Sequence, residues 1–166
     1  MPSRAGGSVV ASHIRVGTNG PVPDYVHFHR VQFQIIYCVR GWAKLVYEDG
    51  GPPSIMRAGD CVVQPPTIRH RVLESGDGLE VVEVTCPAEH ETIADHAMTL
   101  PTETPRPVSQ RVWHGQRFSW HRCVPHHRRA QVGKGWQAQD LGTVAATGGV
   151  GEAVSYVTLF FCFISF

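Results

Sequence analysis

The feature that most constrains the fold is a series of short strand-like runs between residues 25 and 87. They are rich in β-branched and aromatic residues, and Gly or Pro turn signals separate them at intervals of roughly 8–12 residues. This spacing predicts an all-β sandwich or barrel. The predicted strands are Gln32–Val39, Trp42–Tyr47, Asp60–Gln64, His70–Leu73 and Leu79–Cys86.

The chain beyond these strands divides into three further parts. The segment Pro87–Met98 begins with proline and acidic residues, which predicts a short helix. Three prolines within residues 100–111 predict a linker. We therefore expect a barrel at 1–99, a Pro-rich linker at 100–111 and a partly irregular C-terminal extension at 112–166.

Composition narrows the class of function. The net charge of +1 over 166 residues gives no reason to expect nucleic acid or a membrane as partner. Five cysteines without a CxxC pair fit neither a disulfide framework nor a thiolate zinc site, and they favour a cytoplasmic setting. The apolar tail Val154–Phe166 is too short to cross a bilayer as a helix and is predicted to be a buried strand.

Two histidines stand one residue apart at the head of the first strand-like run. Alternate side chains of a strand point to one face, so His27 and His29 project together, with Tyr25 on the same side. Two neutral imidazoles placed in this way can bind one divalent metal ion. His70 opens a later strand that could lie beside them, and Gln34 follows at a spacing that could return to the same face.

The residues around the paired histidines resemble the first motif of the cupin superfamily. In that family an HxH sequence is followed by a glutamate and then by a glycine. The corresponding residues here are His27, His29, Gln34 and Gly41. The glutamate is thus replaced by an uncharged glutamine, and Gly41 is expected to end its strand in a turn.

A second stretch resembles the second cupin motif, which runs glycine, strand, proline turn and histidine. It contains Gly59-Asp60, Pro65-Pro66 and His70, and 17 residues separate it from the first motif. The resemblance covers roughly residues 20–87 and implies a double-stranded β-helix, or jelly-roll, barrel with a metal ion at its mouth. The segment 117–150 more weakly resembles the lead-in to a second barrel, so the extension could be a truncated second cupin.

The resemblance implies a metal site formed by His27, His29 and His70, with Gln34 as the fourth candidate. Gln34 either ligates through its amide oxygen or hydrogen-bonds a histidine or a metal-bound water. Because glutamine brings no charge, the ion would keep its full charge and favour an anionic substrate. We expect one divalent ion, Fe, Zn, Ni or Mn, with iron slightly favoured.

Two further residues are candidates for substrate binding. Tyr25 could orient a substrate, and Arg40 could attract an anion at the barrel mouth. The alternatives are that Tyr25 only packs and that Arg40 is a solvated surface charge. By strand alternation we expect Tyr25, Ile36 and Cys38 to face the interior.

Two classes of function remain open from the sequence. The first is a mononuclear metal-dependent enzyme, oxygen-using and dioxygenase-like, that acts on a small anionic substrate. The alternative is a non-catalytic module that binds or senses a small ligand, or a degenerate half of a two-barrel protein. In either case we expect a homodimer.

Overall fold

The computed structural model describes residues 7–103, 105–107, 111–124, 130–157 and 162–166. In these residues the chain is almost entirely β, which confirms the predicted fold class. The strands are β1 (Val10–Arg15), β2 (Gly20–Pro21), β3 (His27–His29), β4 (Phe33–Tyr47), β5 (Ser54–Arg57), β6 (Cys61–Val63), β7 (His70–Cys86), β8 (Thr92–Ala94), β9 (Ser119–His121), β10 (Ala130–Gly133), β11 (Trp136–Asp140), β12 (Val154–Val157) and β13 (Cys162–Ser165). One short helix, α1 (Thr143–Thr147), lies between β11 and β12.

The barrel is organised around two long antiparallel strands, β4 and β7, which pair along almost their whole length. β1, β2 and β3 add to β7, while β5 and β6 add to β4. Register shifts near the middle of β4 and between Lys44 and Leu45 mark bulges. Bulges bend strands and reverse which residues face inward, so this one sheet can curl around an interior.

Gly41 does not end a strand, contrary to the prediction from its motif. β4 continues through it as one bulged strand, and Gly41 has a φ of 71°. A Cβ atom at this position would lie 2.5 Å from the carbonyl oxygen of Gly76. Glycine is therefore needed because β4 and β7 cross closely at the bulge. The two strands predicted at His70–Leu73 and Leu79–Cys86 are likewise one strand, because β7 runs without a break from His70 to Cys86.

The helix predicted at Pro87–Met98 is wrong. Thr92–Ala94 forms β8, which pairs with β3 through Phe28 and Ile93. Pairing with the exposed edge of β3 satisfies backbone groups that a short isolated helix would leave open, so the tertiary context overrides the local pattern. The helix observed in the described chain, α1, lies instead between Gly142 and Gly148, both in the left-handed conformation.

The C-terminal extension packs on the outside of the barrel. β9 adds to β6, and β10–β13 form a separate antiparallel sheet. Leu141 and Ala153 share a buried apolar cluster with Ile35 of β4. The tail Val154–Phe166 is not one strand, because β12 and β13 pair with each other within it. Part of the predicted linker, 104 and 108–110, lies outside the described residues, and the proposed domain limits stay a prediction.

No helix in the described part of the chain is both long enough and apolar enough to cross a membrane.

Candidate metal site

The three histidines singled out in the sequence meet at one end of the barrel interior. β3 carries His27 and His29, and His27 is the direct strand partner of His70 on β7. One possible ligand nitrogen from each ring lies within 4.8 Å of those of the other two. The ring centroids are 4.4 Å apart for His27 and His70, and 5.1 Å apart for His27 and His29. This spacing suits three ligands around a single metal ion.

Hydrogen bonds orient two of the rings and determine their tautomers. Nδ1 of His27 lies 2.9 Å from the carbonyl oxygen of Tyr25, and Nδ1 of His70 lies 3.1 Å from that of Ile68. A carbonyl oxygen only accepts, so each Nδ1 donates its proton there and Nε2 keeps a lone pair. Metal-ligating histidines are typically held in this way by their second nitrogen.

The surroundings of His27 and His29 complete this orientation. Nδ1 of His29 lies 2.9 Å from Oγ1 of Thr92 on β8. The carboxylate of Asp24 lies 3.3 Å from Nδ1 of His27 and also accepts the backbone N–H of Val72 at 2.8 Å. The strand pairing β3–β8, which replaced the predicted helix, therefore places the hydroxyl that orients His29.

Burial keeps two of the three imidazoles, those of His29 and His70, uncharged. Burial lowers the pKa of His70 to about 3, and the nearby His27 and His29 lower it further. Burial also lowers the pKa of His29 to about 4, aided by the positive charge that His27 and His90 would carry. At neutral pH both rings are neutral, which is the protonation state that binds a metal ion.

Gln34 lies next to this group and is buried, with 1% of its surface exposed. Its Nε2 has no hydrogen-bond partner among the described residues. The backbone N–H of Gln64 donates to the carbonyl oxygen of Gln34 at 2.9 Å, and Oε1 of Gln64 also has no partner in the described chain. Two buried amides with open hydrogen-bonding capacity beside three oriented imidazoles fit a site that receives an ion and its ligand.

The site opens into a cavity of about 310 Å³ inside the barrel. His27, His29, Gln34, Gln64, Tyr47 and His70 form its polar end. The remaining wall is largely apolar and is formed by Ile14, Val16, Val22, Ile36, Ala43, Leu45, Met56, Val72, Leu79 and Val81, together with Ser75 and Glu83. A mostly apolar cavity with a few convergent polar groups is the usual form of a small-molecule site.

The two residues predicted to bind substrate lie outside this wall. Tyr25 is 51% exposed, so the expectation that it faces the interior is wrong; its ring contacts His27 and His96 instead. Arg40 is exposed at the bulge of β4, opposite Glu80. Ile36 and Cys38 do face the interior, as predicted. Substrate-binding roles for Tyr25 and Arg40 stay predictions, and their positions do not favour them.

The sequence did not single out five residues that line the cavity or orient its histidines: Asp24, Tyr47, Gln64, Ser75 and Thr92. Gln64 carries a weak signal, because it immediately precedes the proline turn of the second motif. Tyr47 and Ser75 carry none, since their inward orientation depends on the bulges. Tyr47 is fully buried against His70, with ring centroids 5.7 Å apart.

The architecture defines an antiparallel β-barrel with a three-histidine group that can hold a metal ion. The family model described as "Cupin domain" matches residues 12–85, which include all three histidines and Gln34. Residues 12–85 therefore resemble a cupin domain, and the barrel that they help to form is an antiparallel jelly roll. No curated protein matches the sequence significantly.

Solved structures share this fold at low sequence identity. A mutant of salicylate 1,2-dioxygenase from Pseudoaminobacter salicylatoxidans is similar with a TM-score of 0.57 and 15% identity, over 90% of this chain and 52% of that one. Oxalate decarboxylase from Bacillus subtilis is similar with a TM-score of 0.52 and 14% identity, over 90% of this chain and 48% of that one. The chain spans about half the length of these proteins, and identity at this level supports the fold alone.

Proposed function

We propose that this protein is a mononuclear metal-dependent enzyme, oxygen-using and dioxygenase-like, that acts on a small anionic substrate. The observation that carries the proposal is the convergence of three imidazoles at the polar end of a largely apolar cavity. Their other nitrogens are held by Tyr25, Ile68 and Thr92, so the Nε2 atoms are available together.

His27, His29 and His70 would hold the ion, with Gln34 as a further ligand or as a hydrogen-bond donor to a bound group. When bound, the ion would supply a Lewis acid and a binding point for dioxygen. None of these four side chains brings a negative charge, so the site would retain a positive charge that attracts an anionic substrate group. The imidazole set suits iron, which we favour slightly over zinc, nickel or manganese.

The chain's own residues contribute in three ways. The imidazoles are oriented before any ion arrives, which reduces the reorganisation that binding requires. The apolar wall excludes water from most of the substrate. Tyr47 and Gln34 present hydrogen-bonding groups next to the histidines, where they can orient a substrate oxygen.

Metal content is the direct test. Protein purified without chelator or affinity tag should contain about one iron per chain by elemental analysis, and His29→Ala should lose it. His13→Ala is the matched control, because His13 lies on exposed β1 and pairs with Glu80. Iron retained in His29→Ala, or no metal in the wild type even after reconstitution, would contradict the proposal.

Oxygen uptake with candidate substrates then separates an enzyme from a binding module. Iron-loaded protein that binds ligands in the cavity but consumes no oxygen would favour the ligand-binding alternative. Stoichiometric zinc with no affinity for iron would also exclude the oxygen-using activity. The homodimer expected from the sequence stays a prediction, which sedimentation of the metal-loaded protein can test.

A further inference from the structure

The cavity is longer than the histidine site needs. Along β7 the inward-facing residues run from His70 through Val72 to Ser75, and their partners on β4 are Tyr47, Leu45 and Ala43. Each residue of a strand advances about 3.3 Å, so Ser75 lies at the end of the cavity far from His70. A volume of about 310 Å³ equals that of about ten water-sized groups. It therefore has room for about ten non-hydrogen atoms, as in a substituted six-membered ring.

A hydroxyl group stands at the apolar far end. Ser75 is 1% exposed, and its Oγ has no hydrogen-bond partner in the part of the chain that the structure describes. The bulge between Lys44 and Leu45 turns Ser75 inward. A buried hydroxyl without a partner is unfavourable unless a ligand or water supplies one. Ser75 is therefore placed to bind a polar group on the distal end of a ligand.

The charges of the cavity wall indicate that the distal polar group of the ligand is uncharged. Of the described residues that line the cavity, none is Lys or Arg, and the acidic side chain among them is Glu83. If the ligand carried a second anionic group at the far end, its nearest polar contact would be the neutral hydroxyl of Ser75. No positively charged side chain among the described residues of the wall would balance its charge. Burying an unpaired carboxylate costs far more than burying a hydroxyl that is hydrogen-bonded.

The polar end is suited to a pair of chelating oxygens. Burial raises the pKa of Tyr47, so its phenol remains a donor at neutral pH. Its hydroxyl and Oε1 of Gln64 have no partners among the described residues. A donor and an acceptor beside the imidazoles would serve two adjacent oxygens, one deprotonated and one still carrying hydrogen.

From these observations we propose that the cavity selects a single-ring compound with a chelating oxygen pair at one end and a neutral hydrogen-bonding group at the other. The chelating end rests on the metal site of the proposed function. Ser75 is then a specificity-determining residue for the distal group, and molecules with a second carboxylate are poor ligands.

Three matched probes test the proposal under anaerobic conditions with protein loaded with Co²⁺, whose visible spectrum reports ligation. They are catechol, 3,4-dihydroxybenzyl alcohol and 3,4-dihydroxybenzoate, which differ only in the group at the distal position. The neutral alcohol should bind about 3–10-fold more tightly than catechol, the range expected for one hydrogen bond. The dihydroxybenzoate should bind at least about tenfold more weakly than the alcohol.

The variant Ser75→Ala tests whether Ser75 is the residue that binds the distal group of the ligand. It should abolish the advantage of the alcohol over catechol while leaving the affinity for catechol unchanged. Ser54→Ala, a serine on β5 outside the cavity wall, should behave as the wild type. Melting temperatures of both variants check that they are folded.

The outcomes separate the two proposals. If Co²⁺ binds and catechol changes its spectrum, but the dihydroxybenzoate binds as tightly as the alcohol, the distal specificity is wrong and the metal site stands. If Ser75→Ala still binds the alcohol more tightly than catechol, the proposed role of Ser75 is wrong, and the metal site again stands. If Co²⁺ does not bind, the proposed function fails and this inference fails with it.

Discussion

The barrel contributes to two buried regions, which differ in whether their buried polar atoms are hydrogen-bonded within the protein. Between the outer face of β4 and the C-terminal sheet, the buried hydroxyls of Thr143 and Thr147 are paired with the backbone. Inside the barrel, the hydroxyl oxygens of Ser75 and Tyr47 and Nε2 of Gln34 have no partner in the described chain. We name these regions the outer interface and the inner cavity.

The difference separates structural from functional burial. Thr143 Oγ1 accepts the N–H of Ala153 at 2.7 Å, so the hydroxyl joins two parts of the extension. Natural proteins satisfy most buried polar groups, so each unsatisfied one calls for an explanation such as a bound water, ion or ligand. The outer interface thus stabilises the fold, whereas the unsatisfied groups of the inner cavity cost some stability, as expected for a ligand site.

The largest expected effect is on the outer interface. Ile35 is almost fully buried there against Leu141 and Ala153. Ile35→Ala should lower the free energy of unfolding by about 2–5 kcal/mol, because it removes apolar contacts and leaves a cavity. Chemical denaturation measures this loss, and metal content of the folded variant should remain that of the wild type.

The matched control is Ile55→Ala on the partly exposed strand β5, with an expected loss below about 1 kcal/mol. An equal loss in both variants would show that the outer interface is not a stabilising core.

The next largest effect is the pH dependence of the free energy of unfolding of the metal-free protein, which arises from histidines of the inner cavity. The pKa values of His29 and His70 lie near 4 and 3 in the folded state but near 6.5 in the unfolded chain. Below pH 6.5 the unfolded chain therefore binds protons that the folded protein does not. The free energy of unfolding should fall as the pH falls from 6.5 to 5, by up to about 1.4 kcal/mol per pH unit for each histidine.

Urea titrations in the presence of chelator at several pH values measure this slope, above the range where ordinary carboxylates titrate. His70→Gln removes one of the two histidines and should reduce the slope by about half. A slope that is unchanged in this variant would contradict the burial of His70 as a neutral ring.

The smallest effects compare one hydroxyl from each region directly. Thr143→Val leaves the buried N–H of Ala153 without its acceptor and should cost about 1–3 kcal/mol of stability. Ser75→Ala removes a hydroxyl that has no partner to lose, so the metal-free protein should change by no more than about 0.5 kcal/mol.

Both differences are measured by urea denaturation at neutral pH. If Ser75→Ala destabilises as much as Thr143→Val, the hydroxyl of Ser75 has a structural partner, and the contrast between the two regions disappears.

Much of the site could be predicted from the sequence because local patterns carry it. The alternation of His27 and His29 on a strand and the proline turn before His70 are short-range features, and the structure brings these three residues together. The same local reasoning failed for Tyr25, which lies before β3 begins and is therefore not held to its alternation.

The other residues that line the cavity could not be predicted, because a bulge changes which residues of a strand face inward and its position depends on the partner strand. In β7, His70 and Val72 face inward at even positions, but Ser75, Leu79 and Val81 do so at odd positions. One bulge between them reverses the alternation. Likewise, Thr92–Ala94 forms a strand because it pairs with the edge of β3, and this pairing places Thr92 next to His29.

The sequence by itself determined the all-β class, the two motifs and the three histidines, because residue type and short spacing dictate strands, turns and metal-ligand chemistry. The tertiary structure decided which further groups share the interior. The positions of the bulges, the edge pairing of β8 and the packing of the extension arise from contacts between residues far apart in the chain. These contacts orient the imidazoles and leave the hydroxyl of Ser75 open at the far end of the cavity.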